Sequence, residues 1–200
     1  MSQIKSVVVF CGGASGNKAI FEKEAFHMGE ILAENNIKLI YGAGGCGMMK
    51  AVAEGALSAD GYVIGATIQS LFGIERPDLS TKINKMEIFQ TMYERKVSMT
   101  KQADAAVILP GGLGTMDELF ELIVLRQLGI SFQPIVILNT DGFYNTLRQW
   151  LLEMAGMGFV KPHQLKLVDF VSTAEEVIPS LRKQLKLLEK EKNKKKKTNE

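Results

Sequence analysis

Short runs of apolar, largely β-branched residues alternate along this chain with longer stretches whose apolar positions return at helical spacing. Residues 4–11 form the first run and predict a strand, which small residues from Gly12 to Gly16 then break. Between 18 and 35, Phe21, Ala25, Met28 and Leu32 recur every three or four positions, the signature of an amphipathic helix. The alternation repeats: strands at 38–41, 62–67, 105–109 and 134–139, with a further strand at 85–89 and a short one near 167–170. Helices are expected from the glycines at 42–47 through 58, at 92–102, from the 110–112 turn to 128, at 142–157 and at 173–188. Strands that are hydrophobic throughout and are separated by amphipathic helices imply a parallel sheet covered on both sides. The expected fold is therefore α/β, a doubly wound, Rossmann-like parallel sheet with helices on both faces. Ligands of such sheets lie beyond the carboxyl ends of the strands, where the glycine-rich turns of this chain accumulate.

Length and composition narrow this further. With 200 residues, 46% of them apolar, the chain can bury one sizeable core, and no internal repeat or Pro/Gly/Ser linker divides it. The expectation is one nucleotide-binding or hydrolase domain over 1–188 and a lysine-rich, disordered tail over 189–200. The formal charge is +2, but six of the 24 basic and three of the 22 acidic residues fall in that tail. The body thus carries 18 basic and 19 acidic residues and is −1. A run such as Lys194 to Lys197 suits either an anionic surface or a solubilising terminus, and it predicts no specific nucleic-acid partner. Two cysteines and two histidines make neither a disulfide framework nor a zinc site, so no metal and no cofactor are expected. No apolar run approaches 18 residues, which predicts no membrane span and a cytoplasmic protein.

The glycine turns differ in chemistry. Gly42, Gly44 and Gly47 satisfy GxGxxG between a strand and a helix. A dinucleotide site would also need an acid at the end of the next strand, and only Ala66, Thr67 and Ile68 stand there. Asp60 precedes that strand and is at the wrong end of the sheet. The glycines of this loop, Gly44 and Gly45 among them, instead let backbone approach a mononucleotide or a neighbouring loop. Pro110 to Glu118 reads PGGLGTMDE: Gly111, Gly112 and Gly114 expose N–H groups at a helix start, and Thr115 adds a hydroxyl. This suits a phosphate, although no lysine follows as it would in a Walker loop.

Glu118 admits two readings. Thr115 and Glu118 have the spacing of a capping box, in which the carboxylate only closes the helix start. Alternatively, a carboxylate near a helix N-terminus is held in its charged form and serves as a base or a stabiliser of positive charge. Arg95 and Lys96 lie on the same helix face as Met92, Met99 and Ala103, an otherwise apolar stripe. They either snorkel to the rim or point into an anion site, where Arg95 would hold phosphate or ribose oxygens or pair with Glu118. Cys11 and Cys46 read as small apolar fillers.

Arg95-Lys96 together with PGGLGTMDE resembles the signature of the LOG ("lonely guy") family, cytokinin riboside 5′-monophosphate phosphoribohydrolases often mislabelled lysine decarboxylases. The likeness continues through FCGGASG at 10–16, YGAGGCGMM at 41–49, RQLGI at 126–130 and NTDGFYN at 139–145, and covers roughly 4–185. It implies hydrolysis of the N-glycosidic bond of an adenosine-type nucleoside 5′-monophosphate, with Arg95 and Glu118 catalytic. It further implies phosphate binding by Gly111, Gly112, Gly114 and Thr115, and a homodimer. Lys96, Asp117, Gly12, Gly44 and Gly45 complete the expected substrate-binding set; no clear acid for the leaving base stands out, with Asp117 and Glu94 as the guesses. The chain departs from the family pattern at Gly13-Ala14 in the first loop, Lys50 in the second, Tyr93 and Val124. From a different class, the same scaffold could be a non-catalytic nucleotide sensor or a cofactor carrier of the molybdenum-cofactor type. A carrier needs the phosphate turn but not Glu118. A pyridoxal-phosphate decarboxylase ranks third, because no lysine has a recognisable Schiff-base setting.

Overall fold

The computed structural model describes residues 3–71 and 82–198. Seven strands form one sheet: β1 (Ser6–Phe10), β2 (Lys38–Tyr41), β3 (Val63–Ile68), β4 (Lys85–Phe89), β5 (Ala105–Ile108), β6 (Ile135–Leu138) and β7 (Asp169–Val171). Their order is β4-β3-β2-β1-β5-β6-β7, and every neighbouring pair is parallel. The chain winds outward from β1 in one direction, returns, and continues from β5 in the other. β1 and β5 therefore flank the switch point at which doubly wound sheets hold their ligands.

Among the described residues, six α-helices cover the sheet: α1 (Ala19–Glu34), α2 (Gly47–Ser58), α3 (Met92–Gln102), α4 (Leu113–Gln127), α5 (Asn145–Gly156) and α6 (Val177–Thr198). Successive strand residues face opposite layers, as the two-residue period of a strand requires. Val7 and Val9 join the core under α1, α2 and α6, while Val8 and Phe10 join the one under α3 and α4. Being buried on both faces explains why β1 reads as an unbroken apolar run rather than an alternating one. α1 and α2 meet backbone to backbone. A Cβ at Gly55 would lie 1.9 Å from the Phe26 carbonyl oxygen, and one at Gly29 would lie 2.1 Å from that of Val52.

Several element boundaries differ from expectation; α6, expected from 173, begins at Val177 after a 3-10 turn at Ala174–Glu176. α5 begins at Asn145 because residues Thr140–Gly142 make a 3-10 turn with Asp141 at φ 52° and Gly142 at φ 71°. A left-handed pair cannot continue into a right-handed helix. The lysine-rich segment expected to leave the fold as a tail after 188 instead continues α6 to Thr198. Lysine and glutamate are strong helix formers, and no glycine or proline interrupts the run. No helix among the described residues is long and apolar enough to cross a membrane.

Candidate functional site

The turns that follow β1, β2 and β5 are fastened to one another. Gly12 N–H donates to the Pro110 carbonyl at 3.0 Å, and Met49 N–H donates to the Gly12 carbonyl at 3.2 Å. The approach is close enough that a Cβ on Gly111 would meet Thr115 Oγ1 at 2.2 Å and Gly12 N at 2.7 Å. Gly112 and Gly114, by contrast, face open space and are exposed. α4 starts at Leu113 with Gly112 as its N-cap and no side-chain cap. Its first-turn N–H groups have no intrahelical acceptors and point outward beside those glycines. An anion would be held there.

Thr115 stands three residues into α4, buried, so it cannot cap. The capping-box reading of Glu118 is thereby overturned. So is the expectation that a helix start holds Glu118 charged. No acid lies in the first turn of α4, and the macrodipole acts little beyond that turn. Burial instead raises the Glu118 carboxyl to about 7; Arg95 and Lys96 oppose the rise, while Asp117 and Glu121 add to it. At neutral pH the group is divided between acid and carboxylate.

Arg95 is buried on α3, not snorkelling. Its Nε donates to the Ala66 carbonyl at 2.9 Å and its Nη2 to the Gly42 carbonyl at 3.2 Å. The second bond needs glycine at 42, because a Cβ there would lie 2.4 Å from Nη2. Nη1 is left 4.0 Å from Glu118 Oε1, beyond hydrogen-bond reach, with both side chains about one-tenth exposed. An arginine fixed by backbone carbonyls and a near-neutral carboxyl thus face each other across a narrow gap beside the uncapped turn. The geometry suits a ligand with an anionic group and a centre of developing positive charge.

The expected site residues separate into groups. Arg95, Glu118, Gly12, Gly111, Gly112, Gly114 and Thr115 gather at the β1/β5 switch point. Lys96 reaches neither Arg95's cradle nor the glycine turn: its Nζ pairs with Asp117 Oδ2 at 2.8 Å and Glu121 Oε2 at 2.6 Å. Burial pulls that ammonium down, but hydrogen bonds to the two carboxylates outweigh it and hold the group above its ordinary value. Glu94 is occupied as the α3 capping box, accepting from Thr91 N–H at 3.0 Å. Glu94 is thus engaged at the start of α3, and Asp117 by Lys96. Gly44 and Gly45 are buried, Gly44 against Met49. Met92, expected on the inward stripe of α3, is exposed, though its sulfur stands 3.7 Å from Arg95 Nη1. Cys11 is buried, and burial together with the Glu118 charge pushes its thiol far up, which makes it a poor nucleophile. Cys46 is exposed at the start of α2 rather than an apolar filler.

Sequence reasoning did not single out the Gly42 and Ala66 carbonyls, because a backbone acceptor leaves no side-chain trace. Tyr144 was missed too: its buried hydroxyl donates to the Leu109 carbonyl at 2.7 Å, just before the Pro110 turn. A separate cavity of about 680 Å³ lies at the far sheet edge among α5, β7 and α6. Its acids Asp169 and Glu176 are taken up by Ser180 and by the N–H groups of Ser172 and Thr173, so no base stands free in it.

Residues 49–181 match the family described as possible lysine decarboxylase. The chain is 34% identical over 180 residues to cytokinin riboside 5′-monophosphate phosphoribohydrolase LOG7 of Arabidopsis thaliana, covering 90% of this chain and 82% of that one. It is 37% identical over 172 residues to the probable enzyme LOGL1 of Oryza sativa subsp. japonica, covering 86% and 76%. The chain belongs to the LOG family. Among solved structures, the molybdenum cofactor carrier protein of Chlamydomonas reinhardtii superposes with a TM-score of 0.67 at 16% identity, covering 92% of this chain and 99% of that one. The molybdenum cofactor binding protein of Rippkaea orientalis gives 0.66 at 20% identity, covering 91% and 98%. At such identity the likeness is one of fold. It adds nothing to the carrier alternative.

Proposed function

We propose that this LOG-family member hydrolyses the N-glycosidic bond of adenosine-type nucleoside 5′-monophosphates, giving the free base and ribose 5-phosphate. The observation that carries the reading is the pairing of buried Arg95 and Glu118 beside an uncapped glycine turn. The 5′-phosphate sits on the N–H groups around Gly111, Gly112 and Gly114, with Gly12 behind them and the Thr115 hydroxyl available. That binding energy aligns the ribose over the gap. Arg95, held by two carbonyls, orients phosphate or ribose oxygens. Cleavage of the C1′–N bond leaves an oxocarbenium-like ribose, against which the Glu118 carboxylate is an electrostatic partner. Water adds to C1′ and gives one proton to Glu118, the departing base takes one proton from solvent on a ring nitrogen, and Glu118 then returns its proton to solvent, so the sum is hydrolysis. No metal or cofactor takes part in this scheme.

The working unit is a homodimer, a reading supported by the large exposed apolar residues Val124, Leu128 and Ile130 at the distal end of α4 and the turn after it. The place of action is the cytoplasm, in keeping with two free cysteines. Incubation with AMP and with N6-isopentenyl-AMP, followed by chromatography, tests the activity directly. Free adenine or free N6-isopentenyladenine should appear with an equal amount of ribose 5-phosphate. Tight binding of both nucleotides without base release would move the protein to the carrier class.

A further inference from the structure

We infer that Lys96 is a positioning residue: with Asp117 and Glu121 it forms a strut that sets the spacing between the helix carrying Arg95 and the helix carrying Glu118. The inference rests on the reading that Arg95 and Glu118 do the chemistry. Each end of the strut adjoins that pair in sequence, Lys96 beside Arg95 on α3 and Asp117 beside Glu118 on α4. Asp117 and Glu121 are one helical turn apart, so both carboxylates lie on a single face of α4 and converge on one ammonium. The backbones of α3 and α4 do not pack closely along their lengths. Both helices feed one apolar layer, with Met99 from α3 and Leu119 and Leu122 from α4, and beside the Arg95–Glu118 pair the Lys96 contact is the close charged tie between them. Lys96 is only 17% exposed in its side chain, which limits screening of the contact, although Asp117 is 61% exposed.

The arrangement also explains why adjacent cations on one face have different fates. Arg95 turns inward to fixed carbonyl acceptors, and Lys96 stops at the rim between two acids. The two carboxylates take up two of its three N–H donors and offset its charge, which makes Lys96 a weaker partner for a phosphate. The same strut sets the charge seen by Glu118. The groups facing that carboxyl are Arg95 and Lys96 from α3, Asp117 and Glu121 from α4, and Cys11 beyond β1. Removing the cation would leave two acids unbalanced beside Glu118 and hold its proton more firmly. Removing one acid would do the opposite.

Steady-state kinetics on full-length variants with AMP, across pH, test the strut. Lys96→Met should lower kcat by about 10- to 100-fold, the scale of a misaligned reacting pair, while KM changes little. Its acid limb should move to higher pH. Lys96→Arg, which can still bridge two carboxylates, should recover most of the activity. Asp117→Asn, at an exposed position that threatens folding least, should lower kcat and move the acid limb to lower pH. Adding Lys96→Met to Asp117→Asn/Glu121→Gln should cost little more than the double substitution alone, because all three act as a unit. A Lys96→Met effect confined to KM, with Asp117→Asn and Glu121→Gln silent, would overturn the strut and make Lys96 a substrate contact. Glu118→Gln measured alongside separates the two readings. Full activity there removes the catalytic pair itself, whereas an inactive Glu118→Gln with a fully active Lys96→Met removes only the strut.

Discussion

Glu118 illustrates what a single buried carboxyl costs and what it gains. Its ordinary value is 4.5 and its buried value about 7, so the folded protein takes up a proton there that the unfolded chain releases. The sign follows: this group favours the fold below pH 4.5, and its contribution is lost as pH rises through 7. Glu118→Gln keeps the shape and removes the charge. It should raise the melting temperature at pH 8 and leave it nearly unchanged at pH 5, which differential scanning fluorimetry at the two pH values would show. The same substitution should reduce turnover at least ~100-fold, the lower range for loss of an acid–base group. Wild-type kcat/KM should climb with an apparent pKa near 7, and Glu118→Gln should lack that limb. Stability and activity moving in opposite directions would mark a site held against its own folding preference.

Among the elements, the glycines divide by what faces them. At Gly55 a Cβ would collide with the Phe26 carbonyl, so α1 and α2 would have to separate. Gly55→Ala should destabilise by at least about 3 kcal/mol, the upper range for overpacking, and denaturant unfolding would measure it. In the turn before α4, Gly111→Ala drives a methyl into Thr115 and should lower stability, whereas Gly114→Ala meets nothing. Gly114→Ala should fold with an unchanged melting temperature and a raised KM for AMP, if the phosphate uses that open face. Equal melting losses in both variants would contradict the difference in surroundings. The strand and helix order was legible from the apolar periodicity, since β1 and β5 are buried on both faces and α1 on one. The start of α5 was not, because the left-handed Asp141 and Gly142 are a matter of backbone angles rather than of hydrophobic pattern.

At the scale of the whole molecule, the formal charge of +2 conceals a body of −1 and a lysine-rich C-terminal stretch that continues α6 as far as Thr198. Light scattering should give twice the chain mass, and Leu128→Asp/Ile130→Asp should shift it toward one chain if the distal end of α4 is the contact. An unchanged mass in that variant would move the interface elsewhere. By itself the sequence determined the parallel α/β architecture, the family, and the residues worth naming at the site, because periodicity, glycine turns and the RK…PGGxGTxxE spacing are local properties. Only the tertiary structure decided what those residues do. It set aside the cap reading of Glu118 in favour of a buried carboxyl whose burial raises it to about 7, and bound Lys96 between Asp117 and Glu121. It also fixed Arg95 on carbonyls from β3 and the end of β2. Burial and the convergence of groups distant in the chain set those outcomes, and neither is written in the spacing of neighbouring residues.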